Sequence, residues 1–89
     1  MNTFTLEFDP TFLKRLRKFD RQVQRRILAA FAALESQNDP TVFLKPLRHS
    51  KAGLWRLRVG DYPVVLSVDR GALVILALDT GHRSTVYDG

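Results

Sequence analysis

The apolar residues change their spacing once along the chain, and this change limits the fold more than any other feature. Between residues 12 and 34 they recur every three or four positions: Phe12, Leu13, Leu16 and Phe19, then Val23, Ile27, Ala30, Phe31 and Leu34. Such spacing belongs to helices with one apolar stripe. From residue 54 onward the spacing is two, with Trp55, Leu57 and Val59 alternating against Leu54, Arg56 and Arg58. That is the pattern of a strand with one face on a core. Residues 3–8 alternate in the same way, Phe4, Leu6 and Phe8 against Thr3, Thr5 and Glu7. A strand, then helices, then a run of strands predicts an α+β architecture.

The breakpoints agree with this division. Asp9-Pro10 reads as a helix start, because the aspartate can accept from free first-turn amides and a proline there loses no hydrogen bond. Asp20 is a second candidate cap, opening a helix that runs to about residue 37. With almost no loop between them, the two helices are expected to form a hairpin. Asn38-Asp39-Pro40 stops the second helix. Residues 41–53 read as a connection with a short strand or turn near 43–47. Gly60-Asp61 and Asp69-Arg70-Gly71 are turn signals, placing strands at 54–59, 62–68 and 72–78, the last apolar on both faces. Asp79-Thr80-Gly81 reads as the end of that strand, with a final short strand at 83–87. Tight turns make neighbouring strands antiparallel. The expectation is a strand, a helical hairpin, and an antiparallel β-meander packed on the helices, in one domain over residues 1–89.

Composition removes several kinds of function. The 89 residues include no cysteine and two histidines, which leaves no disulfide framework, thiolate zinc site or cysteine nucleophile. No cofactor or metal is expected. The apolar runs at 27–34 and 72–78 are far below the ~20 residues of a spanning helix, and Glu7 and Asp9 interrupt any secretory leader pattern. A cytoplasmic protein without membrane attachment is the expectation. Fourteen Lys and Arg against nine Asp and Glu give a net charge of +5, which favours an anionic partner.

Half of that positive charge falls in residues 14–26: Lys14, Arg15, Arg17, Lys18, Arg21, Arg25 and Arg26. They lie off the apolar stripes, so they form either a solvated helix face or a footprint for RNA or the ribosome. The other seven are Lys45, Arg48, Lys51, Arg56, Arg58, Arg70 and Arg83. Arg56 and Arg58, two apart on a strand, share the face opposite Trp55, Leu57 and Val59. Adjacent guanidiniums repel unless an anion lies between them, and the planar fork suits phosphate oxygens. The ordinary alternative is a pair of exposed strand charges matched by carboxylates.

Three segments carry a family resemblance: Lys45-Pro46-Leu47; Gly53-Leu54-Trp55-Arg56-Leu57-Arg58-Val59-Gly60-Asp61-Tyr62; and Gly81-His82-Arg83 with Val86-Tyr87. With the element order along nearly the whole chain, they resemble the RelE/ParE toxin superfamily of toxin–antitoxin systems. For a RelE-like member the resemblance implies a metal-independent endoribonuclease that cuts messenger RNA in the ribosomal decoding site. The 2′-hydroxyl attacks the adjacent phosphodiester, giving a cyclic phosphate and a free 5′-hydroxyl. On this resemblance Arg56 and Arg58 grip the RNA backbone and Arg83 stabilises the phosphorane. Tyr87 stacks on a base and is implicated in proton transfer. Lys45, Arg48, Lys51, Arg70 and His82 are further candidate RNA-binding residues. Arginine stays protonated and is a poor base, so Tyr87, His82, His49 and Lys51 remain the candidate proton carriers.

One position departs from the pattern. RelE-like sequences usually follow Gly-x-Tyr with an arginine of the phosphate-binding cluster, where this chain has Pro63. Loss of that arginine implies a weakened nuclease, unless Arg48, Lys51 or Arg70 moves into the vacated place. It also keeps two alternatives open: a ParE-like toxin inhibiting DNA gyrase by protein binding, and a basic binding module without activity. Proline lacks an amide donor, so residue 63 is expected at a strand start, an edge or a bulge. Every toxin reading implies a cognate antitoxin, acidic in its binding segment. It further implies a toxin–antitoxin complex on operator DNA through the antitoxin; the RelE reading adds the ribosome and messenger RNA.

Overall fold

The computed structural model describes residues 4–47 and 53–81. Its elements in chain order are β1 (Thr5–Phe8), α1 (Pro10–Leu16), α2 (Arg21–Glu35), a 3-10 turn (Pro40–Phe43), β2 (Lys45–Pro46), β3 (Trp55–Val59), β4 (Tyr62–Asp69) and β5 (Val74–Thr80). The fold is α+β, two helices on one face of a five-stranded sheet ordered β1-β5-β4-β3-β2. The strands from β2 to β5 pair antiparallel as a meander. β1 lies parallel to β5 at the sheet edge, Leu6 opposite Ile75 and Phe8 opposite Ala77. The alternation of residues 3–8 marked this strand without indicating its partner.

Both predicted helix caps are present. The Asp9 carboxylate accepts the Thr11 amide at 2.9 Å, and Asp20 accepts the Val23 amide at 3.2 Å. α1 has only seven residues, too few to persist alone, so its stability comes from packing. It buries Phe12 and Leu16, one turn apart. α2 buries Val23, Ile27, Phe31 and Leu34, a single stripe along fifteen residues. These side chains meet Leu57, Val64, Leu66, Ile75 and Ala77 of the sheet. At the centre Phe8 stacks on Phe12 with ring centroids 5.5 Å apart, and Phe31 meets both rings edge-on at 5.8 and 5.6 Å. The apolar spacing and parity of the sequence thus account for the main core.

A smaller cluster occupies the other face, where Leu47 and Val65 are buried with Leu54 and Leu78 against them. Here the structure corrects the expected end of the last described strand. Between the pairs Leu66–Ala77 and Val65–Asp79 the register shifts by one, leaving Leu78 as the extra residue. A bulge of this kind adds twist and redirects the side chains beyond it. It lets β5 be apolar on both faces and continue through Asp79 and Thr80, which were expected to break it. Thr80 is fully buried and its hydroxyl donates to the Pro63 carbonyl at 3.1 Å.

The turns follow their local chemistry. Gly60 takes φ +59° in the two-residue loop between Val59 and Tyr62, a conformation glycine adopts without a Cβ clash. A Cβ there would also come within 2.9 Å of the Arg26 guanidinium, so α2 lies over this hairpin. The β4–β5 turn is longer than Asp69-Arg70-Gly71. Asp69 accepts the amides of Gly71 and Ala72, each at 3.0 Å, and β5 begins only at Val74. No helix among the described residues is long and apolar enough to cross a membrane.

Candidate nucleic-acid interface

β3 positions the candidate site. Leu57 is buried against the helices with Trp55 and Val59 beside it, so Arg56 and Arg58 project from the opposite, helix-free face. Arg56 is half-buried and Arg58 exposed. Antiparallel pairing sets Lys45 of β2 directly opposite Arg56, and Pro63 of β4 directly opposite Arg58. Phe43, two residues before Lys45, closes one side. Phe43, Lys45, Arg56 and Arg58 together line a recess of about 160 Å³. Three cations and an aromatic ring therefore converge, and no carboxylate is among the described residues that line the recess. Such a surface suits a phosphodiester: guanidiniums offer paired donors to its oxygens, and the ammonium adds a point charge.

Pro63 occupies the kind of place its missing amide requires. It is the second residue of β4, and β5 ends at Thr80, paired with Val64. The strand that would continue beside Pro63 has finished. The same geometry brings the chain to Gly81 next to Pro63, so the end of β5 approaches the strand that neighbours Arg58.

The structure does not bring Arg70 into the recess. Its guanidinium donates to the Thr41 hydroxyl at 3.0 Å and lies 3.7 Å from the Asp39 carboxylate. Asp39 in turn accepts the Thr41 hydroxyl and amide. The Thr41 hydroxyl is the main cause that holds the Asp39 carboxyl below its ordinary value, with the Thr41 amide and Arg70 adding to it. Arg70 is thus engaged at the 3-10 turn, 29 residues away in sequence. Arg48, His49, Lys51, His82, Arg83 and Tyr87, and the expected strand at 83–87, lie outside the described residues.

The basic helix face is exposed throughout, from Lys14 to Arg26. Next to it a larger cleft of about 560 Å³ is lined by Thr11, Lys14, Arg15, Lys18, Phe19, Thr80 and Gly81. Arg15 is partly neutralised there by Asp79 at 3.0 Å. Among the described residues no group of three or more His, Cys, Asp or Glu could hold a metal ion.

Phe43 is the residue that sequence reasoning missed. It falls in a segment read as a connection with a short strand or turn near 43–47, in which its ring was given no role. No regular spacing marked it, because it closes the 3-10 turn Pro40–Phe43 and does not lie on β2.

A protein-family model described as "ParE toxin of type II toxin-antitoxin system, parDE" matches residues 6–87. No curated protein matches the sequence. Among solved structures, the chain is similar to one in the archaeal RelE–RelB complex from Pyrococcus horikoshii OT3. That pair shares 28% identity, covering 94% of this chain and 99% of the other, with a TM-score of 0.76. Similarity to the RelB–RelE antitoxin–toxin complex from Methanococcus jannaschii covers 92% and 95% at 25% identity, with a TM-score of 0.73. The intact E. coli RelBE toxin–antitoxin complex is similar at 25% identity over 90% and 95%, with a TM-score of 0.67.

Proposed function

The chain belongs to the ParE toxin family of type II toxin–antitoxin systems, and we propose that it arrests growth by cutting messenger RNA in the decoding site of the ribosome. The observation that carries this reading is the convergence of Lys45, Arg56 and Arg58 in one recess on the sheet face opposite the helices. A sheet face of this kind can hold a bent RNA backbone while fixed cations meet the charge that develops on phosphorus. The reaction uses the RNA's own nucleophile. The 2′-oxygen bonds to the adjacent phosphorus as its proton leaves, and the P–O5′ bond breaks as the 5′-oxygen gains a proton. The products are a cyclic phosphate and a 5′-hydroxyl, and the step requires no metal.

In this reading Arg56 and Arg58 grip the backbone, Lys45 adds charge at the rim, and Arg83 stabilises the phosphorane. Tyr87 is the first candidate for proton transfer, with His82, His49 and Lys51 behind it. The three similar complexes are described as pairing toxin with antitoxin. Carried to this chain, they support a cognate antitoxin with an acidic binding segment, steered by the net charge of +5. The complex would reach operator DNA through the antitoxin. The acting unit is a single toxin domain spanning residues 1–89.

A specific observation favours a second reading. Pro63 stands beside Arg58 where a RelE-like cluster has another arginine, which fits a ParE-like inhibitor that binds DNA gyrase without cleaving RNA. Mapping of RNA 5′ ends after brief induction, beside the Arg83→Ala variant, separates the two. New 5′-hydroxyl ends with codon periodicity in translated frames, absent in the variant, are expected. Growth arrest without such ends, together with loss of gyrase supercoiling, would replace the nuclease reading with the gyrase one.

A further inference from the structure

Among the described residues, Phe43 belongs to neither apolar cluster. It ends a 3-10 turn whose Pro40 is buried, yet Phe43 itself is 57% exposed. The buried residue of this segment is its neighbour Leu44, which belongs to the main core. An aromatic ring left in water gives up the transfer energy that a core position would provide. A small polar residue would serve the turn equally well. Around the ring stand Lys45, Arg56 and Arg58, lining the same recess.

We propose that Phe43 is a stacking platform for a nucleobase of the bound RNA, while the three cations hold the phosphate attached to that nucleotide. The proposal rests on the RNA-cleaving reading above and extends it, because the resemblance gave a stacking role to Tyr87 alone. Recognition of single-stranded RNA combines a positive track for the backbone with ring faces for the bases. Both parts occur here within one recess. Its volume of about 160 Å³ lies below the range of roughly 300–1,000 Å³ for small-molecule pockets, so it takes one flat group rather than a folded segment. The positive rim distinguishes a nucleotide from an apolar protein anchor, which would gain nothing from three cations. Stacking is tolerant of base identity, so Phe43 would contribute affinity and hold the strand in register without fixing a codon.

The test uses the full chain with ribosomes programmed with a messenger whose decoding-site codon is 2′-O-methylated, to block cleavage, and carries 2-aminopurine. Sedimentation reports whether the toxin binds, and 2-aminopurine fluorescence reports stacking. The native chain should co-sediment and quench the fluorophore. Phe43→Ala should weaken binding about tenfold, a loss typical of one stacked base, and remove much of the quench, while Phe43→Trp restores both. Val42→Ser, at a more exposed position of the same turn (69%) that does not line the recess, should change neither. If the native chain co-sediments and Phe43→Ala behaves identically, the stacking platform is wrong while the RNA-cleaving reading stands. If the native chain does not bind programmed ribosomes at all, that reading fails and the platform fails with it. If Phe43→Ala loses antitoxin binding but keeps ribosome binding and quench, the ring serves a protein, and the proposal is overturned.

Discussion

Restoring an arginine at Pro63 is the most discriminating change to make, because the register predicts both its benefit and its cost. Residue 63 lies directly across from Arg58, and opposed side chains start with Cβ atoms ~4.5–5.5 Å apart. Two guanidiniums splayed to ~7 Å repel by about 0.6 kcal/mol at the dielectric of water and about 2.4 kcal/mol at an effective value of 20. Arg58 is exposed but residue 63 is buried, so the repulsion falls between these figures. Replacing proline also enlarges the unfolded ensemble, costing about 0.4–1 kcal/mol. A chain of this size has roughly 4–13 kcal/mol in hand, so Pro63→Arg should fold with a melting temperature about 5–25 °C lower. At the transition state the balance reverses, because a phosphorane dianion between the two arginines removes their repulsion. One added charge-assisted donor stabilises such a state by about 3 kcal/mol, close to a hundredfold in rate. Single-turnover cleavage on programmed ribosomes should therefore rise by about 10–100-fold, with circular dichroism melting as the fold control. Pro63→Ala should share the proline part of the destabilisation without the gain. A folded Pro63→Arg protein that cleaves no faster than the native chain would remove the recess from the reaction.

Other changes probe the scaffold around the site. Thr80→Val keeps the shape of a buried side chain but removes the donor to the Pro63 carbonyl; thermal melting should show a loss of about 1–3 kcal/mol, whereas Thr80→Ser should keep most of the bond. Phe31→Ala deletes a fully buried ring with two edge-on partners, and chemical denaturation should show about 3–5 kcal/mol lost. Because the Asp39 carboxyl is held below its ordinary value of 3.8, its contribution is present above that pH and is lost as the pH falls below it. Acid titration followed by circular dichroism should show the native chain losing stability below about pH 4 that Asp39→Asn does not lose.

The local half of this fold could be read from its residues. Asp9 and Asp20 announced the helices because a cap acts within three residues, and Gly60-Asp61 announced the hairpin because a left-handed turn needs glycine. The parity that hides Leu57 also exposes Arg56 and Arg58, so the basic pair was legible as well. The pairing of Lys45 with Arg56 was not, since β2 has only two residues and shows no period. The bulge at Leu78 was masked by a strand apolar on both faces, where a one-residue slip leaves no change of pattern. Arg70 looked like the other cations until the fold brought Asp39 and Thr41 beside it. Such a contact across the chain has no sequence signature.

The parallel pairing of β1 with β5 also sets an order of events at birth. Of the described strands β1 is synthesised first and β5 last, and their partners Thr5 and Val74 stand some 70 residues apart. β1 can find its place only after β2, β3 and β4 have been made, and closing so long a loop makes the step slow. α1 packs against β5 and leads directly out of β1, so it too waits. Until β5 has been made, β1 has no partner, and the meander that grows from β2 onward keeps an open edge, the state most exposed to mispairing. An antitoxin that reached the chain before β1 docks would meet that open edge.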